Sequence, residues 1–215
     1  MGSICLRGSD EQRERYLPAM ARYAKDVADG QVKGFIVENS APGFTVEKQM
    51  HRWLCVVQNG LITLDNVRVA DSERLQRAKS FKDTAAVLRM THAGVAWMAA
   101  GCALGAYENA VAYAKTRQQF GRPIGGFQRV QDLLVWMLGN VTSAYGLCVR
   151  LSQLPDEGLA EDRHSSLAKA FCTLRMCETV GWARELLGGN GILLEHNVGR
   201  FVADAEAIYS RAHRR

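Results

Sequence analysis

The chain has 215 residues, of which 47% are hydrophobic and 23% are charged, a composition typical of a globular protein with a sizeable buried core. Its net charge is +5, but acidic and basic residues alternate in stretches such as "GSDEQRERY" (residues 8–16), and part of the basic excess lies in the C-terminal "SRAHRR". This distribution argues against nucleic-acid binding, and in the absence of an apolar run of about 18 residues the sequence predicts neither a membrane span nor a secretory signal.

The first third of the chain is predicted to be a polar helix, over residues 9–28, followed by a small antiparallel β section. The segment "VKGFIVENSAPGFTVEK" (residues 32–48) is typical of a strand, a turn at Pro42-Gly43 and a second strand. The next segment, "RWLCVVQNGLITLDNVRV" (residues 52–69), has two hydrophobic runs on either side of Asn59-Gly60. Because Asn-Gly favours a two-residue hairpin turn, these runs are predicted to pair with each other.

Four helices are predicted in the remainder of the chain. The first runs from residue 83 to about 120, and its richness in Ala and Gly means that packing against neighbours must supply its stability. The third covers residues 161–187 and ends at "GGNG" (residues 188–191), and the fourth begins near Glu195. The second helix carries one apolar stripe at helical spacing, formed by Val130, Leu133, Leu134, Met137, Val141, Ala144, Cys148 and Leu151. The residues of the third helix predicted to face inward are Leu167, Phe171, Leu174 and Val180.

Helices joined by short loops favour an antiparallel bundle. The sequence therefore predicts a mainly α fold, in which a truncated antiparallel β section precedes a C-terminal antiparallel four-helix bundle.

The six cysteines and five histidines predict no metal site, because they show no paired ligand spacing. Cys172 and Cys177, for example, are five residues apart and do not share a helix face. The cysteines are expected to be reduced thiols in a reducing compartment. No nucleophile elbow or phosphate-binding Walker loop is present either.

One stretch, "TRQQFGRPIGGFQRVQ" (residues 116–131), combines the end of a helix, a bend and a new helix start with several cationic and amide side chains. Arg117 has two interpretations. A cation at a helix C-terminus is favourable against the helix dipole. Alternatively, its guanidinium grips a pyrophosphate or a heteroaromatic ring, with Phe120 and Gln128 nearby.

A second stretch, "LLGGNGI" (residues 186–192), also has two interpretations. A glycine after a long helix forms a C-cap, since glycine tolerates the left-handed conformation. Three glycines within four residues are more than a cap requires, and the additional ones suggest backbone that a ligand approaches closely.

Together these pieces resemble the acyl-CoA dehydrogenase and oxidase family over most of the chain. The segments that carry the resemblance are "GSDEQRERYLPAMA", "GFIVENSAPGFTVEK", "NGLITLDNVRV", "AYAKTRQQFGRPIGGFQRVQ" and "RELLGGNGI". The pair "TRQQFGRPI…FQ" and "LGGNGI", separated by a two-helix hairpin, is the specific signature. With "MLGNV" and "VAW" (residues 95–97), the chain is most similar to the branch of glutaryl-CoA dehydrogenases and short-chain acyl-CoA oxidases.

The resemblance implies three parts. They are a remnant of an N-terminal helical domain (residues 1–30), a truncated middle β domain (residues 31–75) and the bundle (residues 76–215). The family segment with Thr-Glu-Pro and Gly-Ser-Asp runs, which wraps the flavin ring and the acyl-CoA, has no counterpart between "RYLPAMA" and "GFIVEN". The chain is therefore expected to be internally deleted and C-terminally truncated relative to the family.

The resemblance also implies FAD as the cofactor, bound across two subunits of a homo-oligomer, and acyl-CoA thioesters as substrates. Arg117 would meet the flavin pyrophosphate of a neighbouring subunit, with Phe120 and Gln128 beside it. His92 stands where the family has a substrate-contacting Arg. The adenine end of the cofactor would be lined by Glu185, Leu186, Leu187, Gly188 and Gly189.

No catalytic residue is predicted. The base of this branch is a Glu in a Tyr-Glu-Gly-Thr motif after the fourth helix, and its position falls here on about Arg211 or Ala212, neither of which accepts a proton at neutral pH.

Three hypotheses about the function of the chain stay open. The chain is an FAD-dependent dehydrogenase or oxidase of short acyl-CoA thioesters in fatty-acid or amino-acid catabolism, a non-catalytic oligomerising bundle, or a splice or gene-model product without the base and much of the flavin pocket.

The expected partners are an acyl-CoA thioester and further copies of the chain, as a tetramer or a dimer of the bundle. The expected location is intracellular: mitochondrial, peroxisomal or bacterial cytoplasmic. The C-terminal "HRR" is not a peroxisomal Ser-Lys-Leu signal.

Overall fold

The structure is a computed structural model that describes residues 20–25, 32–49, 59–77 and 81–212. Two compact units divide the chain. Among the described residues, those up to Met90 form the β unit and those from Thr91 onwards form the helical unit.

Four strands of the β unit form two separate antiparallel pairs. Strand β1 (Met20–Lys25) pairs with β2 (Val32–Val37), and β3 (Phe44–Gln49) pairs with β4 (Asn59–Leu64). The prediction of a helix is therefore wrong for residues 20–25, while residues 9–19 and 26–28 lie outside the described residues. The physical reason is that pairing along the whole length of β2 outweighs the small differences in intrinsic propensity of a short polar segment.

Of the two turns predicted in the β unit, the structure contains one and not the other. Pro42-Gly43 is a turn, closed by the Phe44 N–H donating to the Ala41 carbonyl at 3.0 Å, but β2 and β3 on either side of it do not pair. The prediction of a hairpin turn at Asn59-Gly60 is wrong, because both residues are paired within β4. Gly60 is instead a point of close approach, where an added Cβ would lie 2.7 Å from a methyl group of Val46.

Four helices define the helical unit. They are α1 (Phe81–Thr116, whose first turns belong to the β unit), α2 (Gln128–Gln153), α3 (Asp162–Leu187) and α4 (Val198–Ala212). The prediction of a mainly α chain, with a four-helix bundle preceded by a small antiparallel strand section, is confirmed.

The core of the bundle combines small residues from α1 with larger side chains from the other helices. Helix α1 contributes a stripe of buried alanines at the three-and-four spacing of one face, namely Ala96, Ala99, Ala100, Ala103, Ala106, Ala110 and Ala114. The same core cluster contains Met137 of α2, Met176 of α3 and Val198 of α4, all of them fully buried. Small side chains on one helix leave room for larger side chains of the others, so the alanine-rich sequence is explained by packing.

The inward face of α3 is only partly the predicted one. Val180 is buried and Phe171 packs against the core, but Leu167 and Leu174 are 62% and 41% exposed, so their predicted burial is wrong. The buried stripe of this helix runs through smaller residues, with Ala168, Cys172 and Ala183 among them. The prediction failed because it followed large apolar side chains, and at 100° per residue Leu167 and Leu174 lie on roughly the opposite side of the helix from the buried stripe.

Among the described residues, α2 alone is long and apolar enough to cross a membrane by length and composition. Its buried residues, such as Leu133, Met137 and Cys148, are part of the bundle core, and a core helix of a bundle meets the same criterion.

Candidate functional site

A β-hairpin with a two-residue loop follows α1. Strands β5 (Gln118–Gln119) and β6 (Arg122–Pro123) pair, and the loop between them is Phe120-Gly121 with φ values of 51° and 79°. Positive φ at both central residues is what a tight right-twisted hairpin requires. Glycine adopts this conformation readily, whereas it costs a phenylalanine roughly 1–3 kcal/mol. The hairpin thus holds Phe120 at its tip, 91% exposed.

Two aromatic contacts organise the residues around the hairpin. The Arg122 guanidinium stands over the Phe127 ring, 4.2 Å from its centroid, and Phe120 meets the edge of the same ring at 6.1 Å between centroids. The Arg122 side chain is therefore held by stacking, and it has no ion-pair partner in the part of the chain that the structure describes. Its N–H donors stay available for an anion.

Arg117 and Gln128 are exposed, and within the described part of the chain neither side chain has a hydrogen-bond or ion-pair partner. Gln128 is the first residue of α2, whose N-cap, Phe127, provides no side-chain hydrogen bond. A helix N-terminus with unsatisfied N–H groups favours negative charge. Guanidinium groups, amides and helix N-terminal N–H groups are the donor types that bind phosphates in proteins.

The glycine turn after α3 consists of Gly188–Ile192, and the structure assigns its three glycines different roles. Gly188 caps the helix with φ 57°. Gly191 is buried, and an added Cβ would lie 2.6 Å from the Arg184 carbonyl oxygen. Gly189 needs neither explanation, because it has ordinary φ and open space within 4 Å of an added Cβ. Gly189 is therefore the position where a ligand can approach backbone.

Three further predicted residues precede these glycines. Leu186 and Leu187 are buried in the bundle core, so that only their backbone is available to line a cofactor. The Glu185 carboxylate accepts a hydrogen bond from Arg129 of α2 at 3.0 Å. Since both side chains are about half or more exposed, this pair contributes at most about 1 kcal/mol.

A second contact, besides the Arg129–Glu185 pair, links the two segments predicted to bind the cofactor, residues 116–131 and 186–192. The Asn190 side-chain amide donates to the Tyr113 hydroxyl at 2.8 Å, and the Arg117 N–H donates to the Tyr113 carbonyl at 2.9 Å. Sequence reasoning missed Tyr113. Its position one helical turn before Arg117 was the available signal, because residues four apart share a helix face.

His92 lies apart from these segments, on the first half of α1. Its Nδ1 is 3.5 Å from the Ser166 hydroxyl of α3. Burial lowers the pKa of His92, Lys169 lowers it further and Asp162 opposes the change. A neutral imidazole at neutral pH cannot replace the charge of the family's arginine, although it can still donate or accept a hydrogen bond.

Arg211 and Ala212, one of which the sequence was predicted to place where the family has its catalytic Glu, are the last two residues of α4. Within the described part of the chain, no cluster of three or more His, Cys, Asp or Glu side chains could hold a metal ion.

The fold and the site together define a helical bundle with a cationic hairpin and a glycine turn, a combination suited to a dinucleotide cofactor. The family model "Acyl-CoA dehydrogenase, C-terminal domain" matches residues 81–210, which is most of the helical part. The chain belongs to the acyl-CoA dehydrogenase family, and the resemblance noted in the sequence is confirmed.

Known relatives agree with this assignment. An acyl-CoA dehydrogenase from Bacillus subtilis (strain 168) is 32% identical over 185 residues, covering 85% of this chain and 49% of the relative. The crystal structure of glutaryl-CoA dehydrogenase from Mycobacterium smegmatis has a TM-score of 0.91 at 26% identity, covering 98% of this chain and 67% of that one. A glutaryl-CoA dehydrogenase from the same organism in complex with FADH2 shares the fold, with a TM-score of 0.88 at 24% identity, over 98% of this chain and 68% of that one. The chain spans about half the length of the curated relatives it matches.

Proposed function

We propose that this protein is an FAD-dependent oxidoreductase that acts on the CH–CH group of a short acyl-CoA thioester. The observation that carries the proposal is the pairing of the cationic hairpin with the glycine turn in a chain of this family, joined by the Tyr113–Asn190 and Arg129–Glu185 contacts. A relative of the same fold binds FADH2, which is consistent with a flavin dinucleotide as the ligand.

The residues that would hold FAD follow from their chemistry. Arg117 and Arg122 carry the positive charge that a pyrophosphate requires, and the Gln128 amide can donate to a phosphate or ribose oxygen. The open backbone at Gly189 can approach a ring or phosphate closely. Bound there, FAD would supply the hydride acceptor for oxidation of the CH–CH bond of the acyl group.

The proposed assembly is a homo-oligomer. From Leu133 to Val149, α2 contains no charged residue on any side, yet its outer face includes Val135 and Trp136, which are 67% and 60% exposed. Large exposed apolar side chains on an uncharged helix surface are typical of a face that a partner covers. We propose that a second copy of this chain covers the outer face of α2.

A second candidate function has its own observation. By the resemblance, the family's catalytic Glu falls here on about Arg211 or Ala212, and neither side chain can take the α proton of an acyl thioester at neutral pH. This favours a non-catalytic bundle that binds FAD and assembles but does not oxidise the thioester.

Anaerobic titration separates the two candidates. The purified protein is loaded with FAD, and its visible flavin spectrum is recorded while butyryl-CoA or glutaryl-CoA is added. Retention of flavin with loss of the oxidised spectrum supports the oxidoreductase. Retention without loss of the spectrum supports the non-catalytic candidate, and failure to retain FAD contradicts the cofactor proposal that both share.

A further inference from the structure

Tyr113 connects the two cofactor segments through both its backbone and its side chain. Its carbonyl accepts a hydrogen bond from the Arg117 N–H at 2.9 Å, which fixes the end of α1. Its hydroxyl accepts a hydrogen bond from the Asn190 side chain at 2.8 Å, 77 residues further along the chain. The Tyr113 side chain therefore joins the last turn of α1 directly to the glycine turn.

The Tyr113 ring itself is held in place. It packs against the bundle core, and the ring of His196 meets it edge to face at 5.3 Å between centroids. His196 follows the glycine turn, so the tyrosine contacts the chain both within the turn and just after it. A ring fixed on two sides presents its hydroxyl in one direction, which makes the bond to Asn190 specific in geometry.

The second link between the segments is weaker. Arg129 and Glu185 are 3.0 Å apart, but their side chains are 70% and 48% exposed, and solvent screens such pairs. The Tyr113–Asn190 bond is partly buried and is made to a half-buried ring, so it retains its geometry when the surface side chains move. Of the two contacts, it is the one able to set the position of the turn.

We infer that Tyr113 is a positioning residue, whose hydroxyl fixes the Gly188–Ile192 turn relative to the Arg117 end of α1. The inference rests on the proposed function, because the turn and Arg117 are the two segments proposed to hold FAD. Tyr113 does not touch the cofactor in this scheme. It determines the spacing between the Gly189 backbone and the Arg117 guanidinium, and thus how well both can engage one dinucleotide.

The experiment compares Tyr113→Phe with the wild-type chain in the absence of cofactor. Hydrogen exchange of the peptide that contains Gly188–Ile192 is measured under native conditions. The loss of one hydrogen bond is expected to raise its exchange about fivefold. Tyr107→Phe is the matched control, since Tyr107 lies on the same helix and its hydroxyl has no hydrogen-bond partner among the described residues. Exchange in this control is expected to equal that of the wild type.

Two further variants distinguish positioning from general destabilisation. Asn190→Ala is expected to raise exchange of the turn as much as Tyr113→Phe does, and the double variant is expected to add nothing. Asn190→Asp retains the contact, with the Tyr113 hydroxyl donating to the carboxylate, and is expected to keep wild-type protection. FAD affinity of Tyr113→Phe is expected to fall about threefold to tenfold, with a melting temperature close to that of the wild type.

The outcomes separate this inference from the proposed function. Unchanged exchange of the turn in Tyr113→Phe overturns the inference, whether or not the wild-type chain binds FAD. Equal exchange increases throughout the bundle also overturn it, because the residue is then only a stabilising one. A wild-type chain that takes up no FAD contradicts the proposed function, whereas a local increase in exchange at the turn still supports the role of Tyr113.

Discussion

Arg117 is the residue whose two sequence-based interpretations can now be compared. It follows α1 directly, so its charge does favour the helix C-terminus, and within the described residues its side chain has no protein partner. A cation that only serves the helix dipole contributes about 0.3–1 kcal/mol to stability and nothing to ligand binding. A cation that binds pyrophosphate contributes to ligand binding and little to stability. The first prediction follows from this difference.

Arg117→Gln is expected to raise the dissociation constant of FAD by about tenfold to a hundredfold, because a charge-assisted hydrogen bond is lost. Its melting temperature is expected to change little. Lys115→Gln is the control, since it removes an exposed positive charge from the last turn of the same helix. Both dissociation constants are measured by quenching of flavin fluorescence. Equal losses in the two variants would indicate a general charge effect and contradict a specific role for Arg117.

His92 gives a prediction about pH. Burial lowers its folded-state pKa below the ordinary value of 6.5, with Lys169 adding to the decrease and Asp162 opposing it. The unfolded chain therefore binds the proton more readily than the folded chain, so the stability contributed by the neutral imidazole is fully present above pH 6.5 and declines as the pH falls below it. His92→Gln is expected to show a smaller loss of melting temperature than the wild type between pH 7 and about pH 5. If the melting temperatures of both proteins fell equally with decreasing pH, the pH dependence could not be attributed to His92.

In the Gly188–Ile192 turn, the role of a glycine in packing and its role in ligand approach can be tested with separate variants. Gly191→Ala places a Cβ 2.6 Å from the Arg184 carbonyl, and because that partner is helix backbone we expect a destabilisation of about 1–3 kcal/mol. Gly189→Ala meets only open space, so its free energy of unfolding is expected to stay within about 0.5 kcal/mol of the wild type.

The two variants are then compared for FAD affinity. Gly189→Ala is expected to weaken FAD binding despite its normal stability, since the new methyl group occupies the space proposed for the ligand. Denaturant unfolding and flavin titration on the same preparations provide both measurements. Normal affinity in Gly189→Ala would mean that FAD does not approach this backbone.

The helices were the part of the fold that sequence could predict. Their periodicity is local, and the third predicted helix, residues 161–187, differs from α3 (Asp162–Leu187) by one residue. Strand pairing depends on distant partners, which is why β1 was expected to be helical and Asn59-Gly60 was expected to be a turn.

The same limit applies to the candidate site. Arg117, Phe120 and Gln128 are close together in sequence, so a motif could identify them, whereas the Tyr113–Asn190 bond joins residues 77 positions apart. The spacing from Arg117 could have identified Tyr113, but no local signal identifies Asn190 as its partner. The roles of the three glycines also required the structure, because φ and the distance to Arg184 distinguish a cap, a packing residue and an open position.

For the whole molecule, the outer face of α2 has a pattern that suits a twofold axis. Val135 and Val149 each lie seven residues from Thr142, and between them stand Gly139 and Gly146. If two copies of α2 cross antiparallel at Thr142, Val135 of one copy meets Val149 of the other, and the glycines allow the helices to approach closely. A self-complementary surface of this kind is what an isologous dimer contact requires.

This arrangement predicts that Thr142→Cys forms a disulfide with its own copy under mild oxidation, because the residue lies on the axis. Gln153→Cys is the matched control: it projects from the same side of α2 but is eleven residues, or about 16 Å, from the crossing point, so two copies of it are too far apart to join. Crosslinking is measured on non-reducing gels, and the wild-type chain shows how much of it comes from the native cysteines.

Val135→Lys buries a charge at the proposed contact, so the oligomer is expected to shift towards smaller species. Light scattering measures this shift. A wild-type chain that is monomeric at micromolar concentration, or equal crosslinking at positions 142 and 153, would exclude this mode of assembly and leave the apolar face of α2 to a different partner.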